Sequence, residues 1–305
     1  MYLDETFSDK LETEYVAGVD ENNVEQVLED IIKSGADIVF CVGPQMMPNS
    51  LKVAVEHPEV YILNCSLNAP HPYIRTYYGR MYEAKFLAGM IAGAVTDNER
   101  VAYIADYPIY GMIANINAFA LGVASVNPRA KVYLAWSKTK DYDRNKFLEE
   151  NDLHYVSDQD IITPNDASRY FGLYKLQDGQ ALNLAMPIWN WGVFYEKLLQ
   201  SVLAGSYKAE GQEQVKALNY WWGMSAGVID LICSKHVPYG VKRLADHLKS
   251  DITKGEIVPF FGQIYNQKGE LKNKGEHEMK PSDIMKMDWL VDNVVDRKST
   301  RLNSS

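Results

Sequence analysis

The sequence predicts an α/β protein built from two doubly wound lobes that are joined by a hinge. Apolar runs of strand length alternate along the chain with amphipathic helical segments, which is the pattern of successive β-α units. The apolar runs are continuous, as expected for parallel strands covered on both faces. The alternation breaks at the polar residues 97–100 and restarts at Val101, so a second sheet is expected to begin there. A chain of 305 residues accommodates two lobes of ordinary domain size.

The first β-α unit of the first sheet is expected to be absent. Residues 1–10 are polar, and the first plausible strand is Leu11–Val19. Further strands are predicted at Ile38–Val42, Val60–Asn64, Val101–Ala105, Val132–Trp136 and Leu182–Met186. Helices between them are predicted around Val24–Ile32, Leu51–Val55, Ile113–Val123 and Phe194–Val202. Segment 265–280 is predicted to form a hairpin-like surface excursion.

The stretch Tyr77–Gly93 is predicted to contain the end of a strand, a glycine turn and a buried helix. Gly79 is expected to permit the turn, and small residues between Ala84 and Gly93 are expected to let the helix approach a sheet closely. The spacing of Gly89 and Gly93 indicates close helix packing. Glu83 falls in the first helical turn, where a negative charge complements the helix dipole.

Composition and charge exclude several classes of function. The formal net charge is −9, which argues against nucleic acid or anionic lipid as the main partner. No apolar run reaches the length of a membrane span, and the first residues do not resemble a signal peptide. The 3 cysteines, Cys41, Cys65 and Cys233, are predicted to be buried free thiols, which suits a reducing compartment. The polar residues 296–305 are expected to be a foreign tail.

Motifs for catalysis and for metal binding give little support to an enzyme. The chain has no Walker A loop, no G-x-G-x-x-G, no H-E-x-x-H and no C-x-x-C. One match to the nucleophile-elbow pattern G-x-S-x-G occurs at Gly223–Gly227, followed by Asp230 and His236. The elbow needs partners from separate, later strand ends, whereas these follow Ser225 closely. A tight turn is therefore expected here, and a Ser225 hydrolase is the third hypothesis for function.

Polar and aromatic residues coincide at the carboxyl ends of the predicted strands, where α/β sheets bind ligands. Aromatic side chains at these positions could fill the core, or they could stack a flat ligand. The predicted ligand-binding residues are Gln45, Asn64, Tyr78, Glu83, Asp106, Tyr107, Asp160, Trp189 and Trp222. Glu83 has a structural alternative, in which it binds backbone amides at the start of its own helix.

Several motifs, in the right order over about residues 10–295, resemble the basic membrane protein family of ABC-transporter substrate-binding lipoproteins. They are Tyr78–Gly89, Asn117–Gly122 with Val126–Pro128, Trp189–Gly192, Gly223–Leu231 and Met287–Leu290. The resemblance implies a type I periplasmic-binding fold, with three crossing strands and a ligand in the cleft. It implies an N-terminal lobe of residues 1–98 and about 190–222, and a C-terminal lobe of 99–189 and about 223–295. It implies no catalysis and no cofactor.

The resemblance also implies a ligand, a partner and a location. Some members are purine-nucleoside receptors, so a nucleoside or nucleobase is the expected ligand, and an ABC permease is the expected partner. Pro108 and Ser225 stand roughly where those receptors carry an aspartate and a lysine, which favours base contacts over ribose contacts. A lipid anchor, absent from this chain, would hold the protein at the extracytoplasmic face of the membrane. A cytosolic sensor behind a missing N-terminal domain is the alternative hypothesis.

Overall fold

The computed structural model describes residues 2–7, 10–67, 71–106, 111–160, 169–207 and 219–296. The chain divides into two compact units, the first formed by Met1–Gly79 and Asn190–Trp222 and the second by Arg80–Trp189 and Gly223–Ser305. It therefore passes from one unit to the other after Gly79, after Trp189 and after Trp222. The lobe boundary near residue 98 stays a prediction. The second compact unit begins earlier in the chain, at Arg80.

The first unit is built around a parallel sheet. Its elements are α1 (Tyr2–Thr6), α2 (Val24–Lys33), β1 (Ile38–Cys41), α3 (Met47–Glu56), β2 (Tyr61–Cys65), β3 (Ile74–Gly79), α7 (Trp191–Leu203) and β9 (Asn219–Trp222). The four strands are all parallel, in the order β1-β2-β3-β9. The predicted strands at Ile38 and Val60 and the helices around Val24, Leu51 and Phe194 are thus confirmed, with shifted ends.

Both faces of the first sheet are covered, which explains why β1 and β2 are nearly continuous apolar runs. On one face, Val24 and Leu28 of α2 pack with Val53 of α3 against Ile62 and Ile74 of the sheet. On the other face lies an aromatic layer built around α7. The aromatic layer consists of Phe40, Tyr77, Trp191, Phe194, Tyr195, Tyr220 and Trp222.

The second unit contains a seven-stranded mixed sheet. Its strands are β4 (Arg100–Ala105), β5 (Lys131–Trp136), β6 (Tyr155–Ser157), β7 (Leu173–Gln177), β8 (Gln180–Trp189), β10 (Ile229–Cys233) and β13 (Val294–Asp296). They lie in the order β10-β8-β7-β6-β4-β5-β13. Pairing is parallel from β6 through β4 and β5 to β13, and antiparallel from β6 through β7 and β8 to β10. The remaining elements are α4 (Met81–Val95), α5 (Met112–Val126), α6 (Arg144–Glu150), α8 (Tyr239–Lys254), the hairpin β11 (Gln263–Tyr265) and β12 (Leu271–Lys274), and α9 (Pro281–Met285).

Helix α4 is buried along Met81–Gly93, as the sequence predicts, and its small residues allow it to approach another helix. A Cβ atom on Gly89 would lie 2.0 Å from the carbonyl oxygen of Phe119 in α5. A Cβ on Gly122 of α5 would lie 2.0 Å from the carbonyl oxygen of Phe86 in α4. The glycines therefore serve close packing between two helices, as the spacing of Gly89 and Gly93 indicates, while α4 also contacts β8 and β10 of the sheet.

Three sequence predictions differ from the structure. Residues 11–19 form no strand, and they have no ladder partner among the described residues. The strand predicted at Leu182–Met186 exists within β8, but both of its neighbours are antiparallel. Its continuous apolar run therefore reflects cover on both faces, including contact with α4, and not parallel pairing. Asp296 is the last residue of β13 and not the start of a tail, while residues 297–305 lie outside the described residues.

Candidate functional site

In the first unit, two predicted residues lie at the carboxyl ends of neighbouring strands. Asn64 of β2 is fully buried, and its Nδ2 donates a hydrogen bond to the carbonyl oxygen of Gly43, 2.9 Å away. Its Oδ1 has no hydrogen-bond partner among the described residues. Gln45 lies exposed in the short 3-10 turn that follows β1. Asn64 thus holds the backbone that leads into the turn of Gln45.

The aromatic residues at the strand ends of the first unit differ in their exposure: some are packed in the core and others are partly exposed. Tyr77 is fully buried and stacks on Phe194 at 4.6 Å between ring centroids, so it belongs to the core. Trp222 is half-buried and packs edge-on against Phe194 at 5.2 Å. Tyr78 is half-buried and follows Tyr77 in β3, so its side chain lies on the opposite face of the strand. The interpretation as core filling therefore holds for Tyr77 and for part of the Trp222 ring.

In the second unit, Asp106 and Ser137 meet at the carboxyl ends of β4 and β5, because these parallel strands pair in register up to Ala105 and Trp136. Asp106 directly follows β4, and its Oδ1 accepts a hydrogen bond from the Ser137 hydroxyl, which directly follows β5. Ser137 was not predicted, and its position just after a parallel strand is the signal that could have found it. Asp106 is half-buried, so its carboxylate is both oriented and partly accessible. Tyr107, the predicted neighbour of Asp106, lies outside the described residues.

Asp160, three residues beyond β6, is paired with a buried lysine. Lys85 Nζ of α4 lies 2.6 Å from Asp160 Oδ1 and donates a second hydrogen bond to the Ser157 hydroxyl at 3.2 Å. The Lys85 side chain is 1% exposed and that of Asp160 is 16% exposed. Burial raises the pKa of Asp160, and the Lys85 ammonium acts in the opposite direction. The carboxylate of Asp160 is therefore engaged within its own unit, and ligand contact by Asp160 stays a prediction.

A second charged group beside Asp160 was not predicted from the sequence. The hydroxyl of Tyr174 donates to Asp158 Oδ2 at 3.0 Å, and Arg144 hydrogen-bonds to the same hydroxyl. The guanidinium of Arg144 also lies 3.8 Å above the ring of Tyr170. Burial raises the pKa of Asp158, against the effect of Arg144. These residues fall in or just beyond the polar, irregular region 136–170, where periodicity gives no signal.

Trp189 is the last residue of β8 and is half-buried. Its indole Nε1 is buried and has no hydrogen-bond partner among the described residues. An indole N–H normally finds an acceptor when it is buried. Trp189 therefore remains the aromatic candidate of the second unit.

Glu83 makes a contact that neither sequence-based interpretation includes. Its Oε2 accepts a hydrogen bond from the backbone N–H of Met224 at 2.6 Å, and its Oε1 lies 3.6 Å from Arg80 Nη1. The side chain is only 8% exposed. The alternative in which it binds amides of its own helix start is corrected, because the amide that it binds lies 141 residues further along the chain.

Ser225 lacks the structural context of a nucleophile elbow. It is exposed in the 3-10 turn Met224–Ala226, and the next regular element is the strand β10 rather than a helix. Asp230 is paired with Lys249, and His236 is exposed. The geometry therefore gives no support to a hydrolytic triad at Ser225.

All three cysteines of the chain are free of disulfide bonds. Cys41, Cys65 and Cys233 are free thiols that are buried or half-buried. Burial raises the pKa of the Cys65 thiol to about 11, which makes its thiolate scarce at neutral pH. Among the described helices, none has the length and apolar character that crossing a membrane requires.

Comparison with known proteins identifies relatives for most of the chain. Residues 2–169 match the family model Bmp, described as ABC transporter substrate-binding protein PnrA-like. A purine-binding protein of Brucella abortus (strain 2308) is 26% identical over 97% of this chain and 86% of its own length. A putative ABC transporter glucose-binding protein of Haloferax volcanii is 30% identical over 74% of this chain and 59% of its own length.

The solved structures agree on the fold. An ABC transporter solute-binding protein of Conexibacter woesei DSM 14684 superimposes with a TM-score of 0.60 at 17% identity, covering 84% of this chain and 90% of that chain. The predicted α/β architecture of the periplasmic-binding type is therefore confirmed. At this identity the likeness concerns the fold alone.

Proposed function

Because the chain belongs to the Bmp family of PnrA-like ABC transporter substrate-binding proteins, we propose that it binds a nucleobase or nucleoside for an ABC importer. The family binds small molecules and works with ABC permeases on the extracytoplasmic side. The observation that carries the finer proposal is the likeness to a purine-binding protein along 97% of the chain. The protein is proposed to act without catalysis, so a bound ligand is released unchanged.

The chemistry of the candidate residues is consistent with a flat, polar ligand. Asp106, oriented by the hydroxyl of Ser137, can accept a hydrogen bond from a ring or exocyclic N–H. The half-buried rings of Trp189, Tyr78 and Trp222 offer aromatic surface for stacking. The other proposed contacts are Gln45, Asn64, Tyr107 and Asp160. Glu83 is left out of this set, because its carboxylate is engaged by Met224 and Arg80 and its side chain is 8% exposed, against 16% for that of Asp160.

A sugar is the second candidate ligand. The observation that favours it is the 30% identity to a putative glucose-binding protein. Carboxylates and amides such as Asp106, Asn64 and Gln45 suit the hydroxyl groups of a sugar as well as a base. The two proposals differ in the aromatic contribution, because stacking on Trp189 or Trp222 would stabilise a bound purine more than a bound sugar.

Thermal unfolding with panels of nucleobases, nucleosides and sugars tests the proposal. A ligand that binds only the folded state stabilises it by about 2.7 kcal/mol at 100 times its Kd. We expect adenine, guanine or their nucleosides to raise the unfolding midpoint, and Asp106→Asn to weaken that response. Asp288→Asn, at an exposed aspartate of the same unit, is the control and should respond as wild type. A response to glucose or ribose, with none to any base or nucleoside, would replace the purine proposal by the sugar one.

A further inference from the structure

The chain crosses from one unit to the other at three points, after Gly79, after Trp189 and after Trp222, which we call the first, second and third passages. The first and the third passages begin at the ends of neighbouring strands. Strands β3 and β9 pair in parallel, and Gly79 at the end of β3 is the ladder partner of Trp222 at the end of β9. The chain enters the second unit directly after each of these residues. The first and third passages therefore start side by side, although they lie more than 140 residues apart in sequence.

Glu83 joins the two segments again just beyond these strand ends, within the second unit. Its carboxylate accepts the N–H of Met224, two residues after Trp222, at 2.6 Å. The other oxygen lies 3.6 Å from the guanidinium of Arg80, the first residue after Gly79. One buried carboxylate thus contacts the beginnings of both segments.

Gly223 makes this contact possible. A Cβ atom on Gly223 would lie 2.3 Å from Glu83 Oε2 and 2.6 Å from its Cδ and Oε1, which are the three nearest atoms. The φ angle of Gly223 is −126°, which lies outside the left-handed region that favours glycine. The present position of the Glu83 carboxylate, and not a left-handed backbone, therefore favours a residue without a side chain here.

A contribution to the stability of the folded protein does not by itself explain why the carboxylate of Glu83 is buried at this position. Burial raises the pKa of Glu83, and the Met224 N–H and the Arg80 guanidinium offset only part of that effect. A raised pKa means that the ionised form is less favourable here than in water. A buried charge with a net desolvation penalty is weak support for stability, so a role in fixing local geometry is the better explanation.

We propose that Glu83 is a positioning residue which, with Gly223, fixes the chain at the first and third passages so that both segments respond together to solute binding. The part that concerns solute rests on the proposed function. The positional part does not, and it is tested without ligand.

Amide hydrogen exchange tests the positional part. Glu83→Ala removes the acceptor of the Met224 N–H, so exchange at Met224 should rise at least about tenfold, as expected when a hydrogen bond to a charged group is lost. Glu83→Gln keeps an oxygen acceptor of the same shape and should restore most of the protection. Amides in α5 should be unchanged in both variants.

A double-mutant cycle gives the sharpest version of this experiment. Gly223→Ala alone should also speed exchange at Met224, because the new Cβ displaces the carboxylate. In the Glu83→Ala background the same substitution should add little, since the clashing atoms are gone. Asp143→Ala is the matched control: the Asp143 carboxylate also accepts a backbone N–H, that of Lys146, but far along the chain from both passages. It should leave Met224 unaffected.

Three outcomes of the exchange experiment would overturn the positional role. They are unchanged exchange at Met224 in Glu83→Ala, equal acceleration of the α5 amides, and strictly additive effects of Glu83→Ala and Gly223→Ala. The second outcome would assign Glu83 to general stability only.

Adenosine binding by the full chain tests the response to solute. Glu83→Ala should lower the affinity for adenosine at least about fivefold, Glu83→Gln should return it to within about twofold of wild type, and Asp143→Ala should not change it. Unchanged affinity in Glu83→Ala would overturn the coupling. If wild type binds no base or nucleoside, the proposed function and the coupling to solute both fail, and the exchange result alone decides the positional role.

Discussion

At the scale of single residues, His57 gives the protein a pH-dependent contact. Its Nε2 lies 3.0 Å from Glu29 of α2, and its Nδ1 lies 3.2 Å from Glu59. The hydrogen bonds to Glu29 and Glu59 raise the pKa of His57 above its ordinary value near 6.5. The stabilisation from these contacts is complete below pH 6.5, and it is lost as the pH rises through the folded-state pKa.

We therefore expect the free energy of unfolding to fall between pH 6.5 and the folded-state pKa of His57. Urea titrations at closely spaced pH values measure this slope. The slope should be reduced in His57→Gln and retained in His236→Gln, which changes an exposed histidine of the second unit. Equal slopes in wild type and His57→Gln would mean that the two glutamates do not bind the charged imidazole in solution.

The ion pair of Lys85 with Asp160 provides a second prediction. Lys85→Met leaves the mostly buried Asp160 carboxylate without its partner, which should lower the free energy of unfolding by about 3 kcal/mol. Adding Asp160→Asn should recover part of this loss, because the orphaned charge is removed. Lys242→Met is the matched control, because Lys242 pairs with Asp246 on an exposed helix face and its loss should matter little. Chemical denaturation compares these variants with wild type, and similar losses at Lys85 and Lys242 would contradict the prediction.

Residue-level predictions from sequence succeeded in locating strand ends and failed in assigning partners. Asp106 was predicted to lie at a strand end, and it directly follows β4. The roles of Glu83 and Lys85 depend on atoms 141 and 75 residues further along the chain, and no local pattern encodes such a contact. Tyr77 shows the same limit, because sequence places it at a strand end but does not say which face the helix α7 covers.

At the scale of elements, the contact between α4 and α5 depends on glycines that interlock. Gly89→Ala places a methyl group 2.0 Å from the Phe119 carbonyl oxygen, and the backbone cannot yield as a flexible side chain would. We expect a loss of about 3 kcal/mol in the free energy of unfolding, as is typical of overpacking in a tight core. Calorimetry or denaturant unfolding measures it.

Gly240→Ala supplies the control for this prediction. Gly240 lies in the first turn of α8, and a Cβ there meets nothing within 4 Å. Alanine has the higher helix propensity, so this change should be neutral or stabilise by up to about 1 kcal/mol. If Gly89→Ala behaves like Gly240→Ala, the two helices have room to separate and the interlock is not essential.

Helices and strands were predicted correctly where the spacing of apolar residues matches the face of the element that is buried in the fold. The helices around Val24 and Ile113 and the parallel strands at Ile38 and Val101 were found because core packing imposes their apolar pattern. Strand direction in β8 was mistaken, because cover on both faces produces the same continuous run in either direction. Residues 11–19 have strand-like residues but no ladder partner among the described strands, and pairing is a property of the sheet and not of the segment.

At the scale of the whole molecule, the alternation of strand-like and helical segments predicted the α/β class. The family was indicated by several motifs that occur in the right order along the chain. The mixed order of the second sheet was not predicted, because the antiparallel strands β7 and β10 are only 5 residues long and give a weak signal in the sequence. The proposed ligand depends on side chains from distant parts of the chain. For this reason the sequence indicates the class of binding protein, whereas an experiment has to decide whether the ligand is a purine or a sugar.

The positions of the tryptophans have a practical consequence. Of the 6 in the chain, Trp189, Trp191, Trp221 and Trp222 lie within two residues of a point where the chain changes unit. Intrinsic fluorescence is thus concentrated at these points, so an unlabelled sample carries its own optical reporter there. Quenching or a spectral shift on adding a colourless solute would register events at these points in real time, and replacing Trp136 and Trp289 by phenylalanine would remove most of the background.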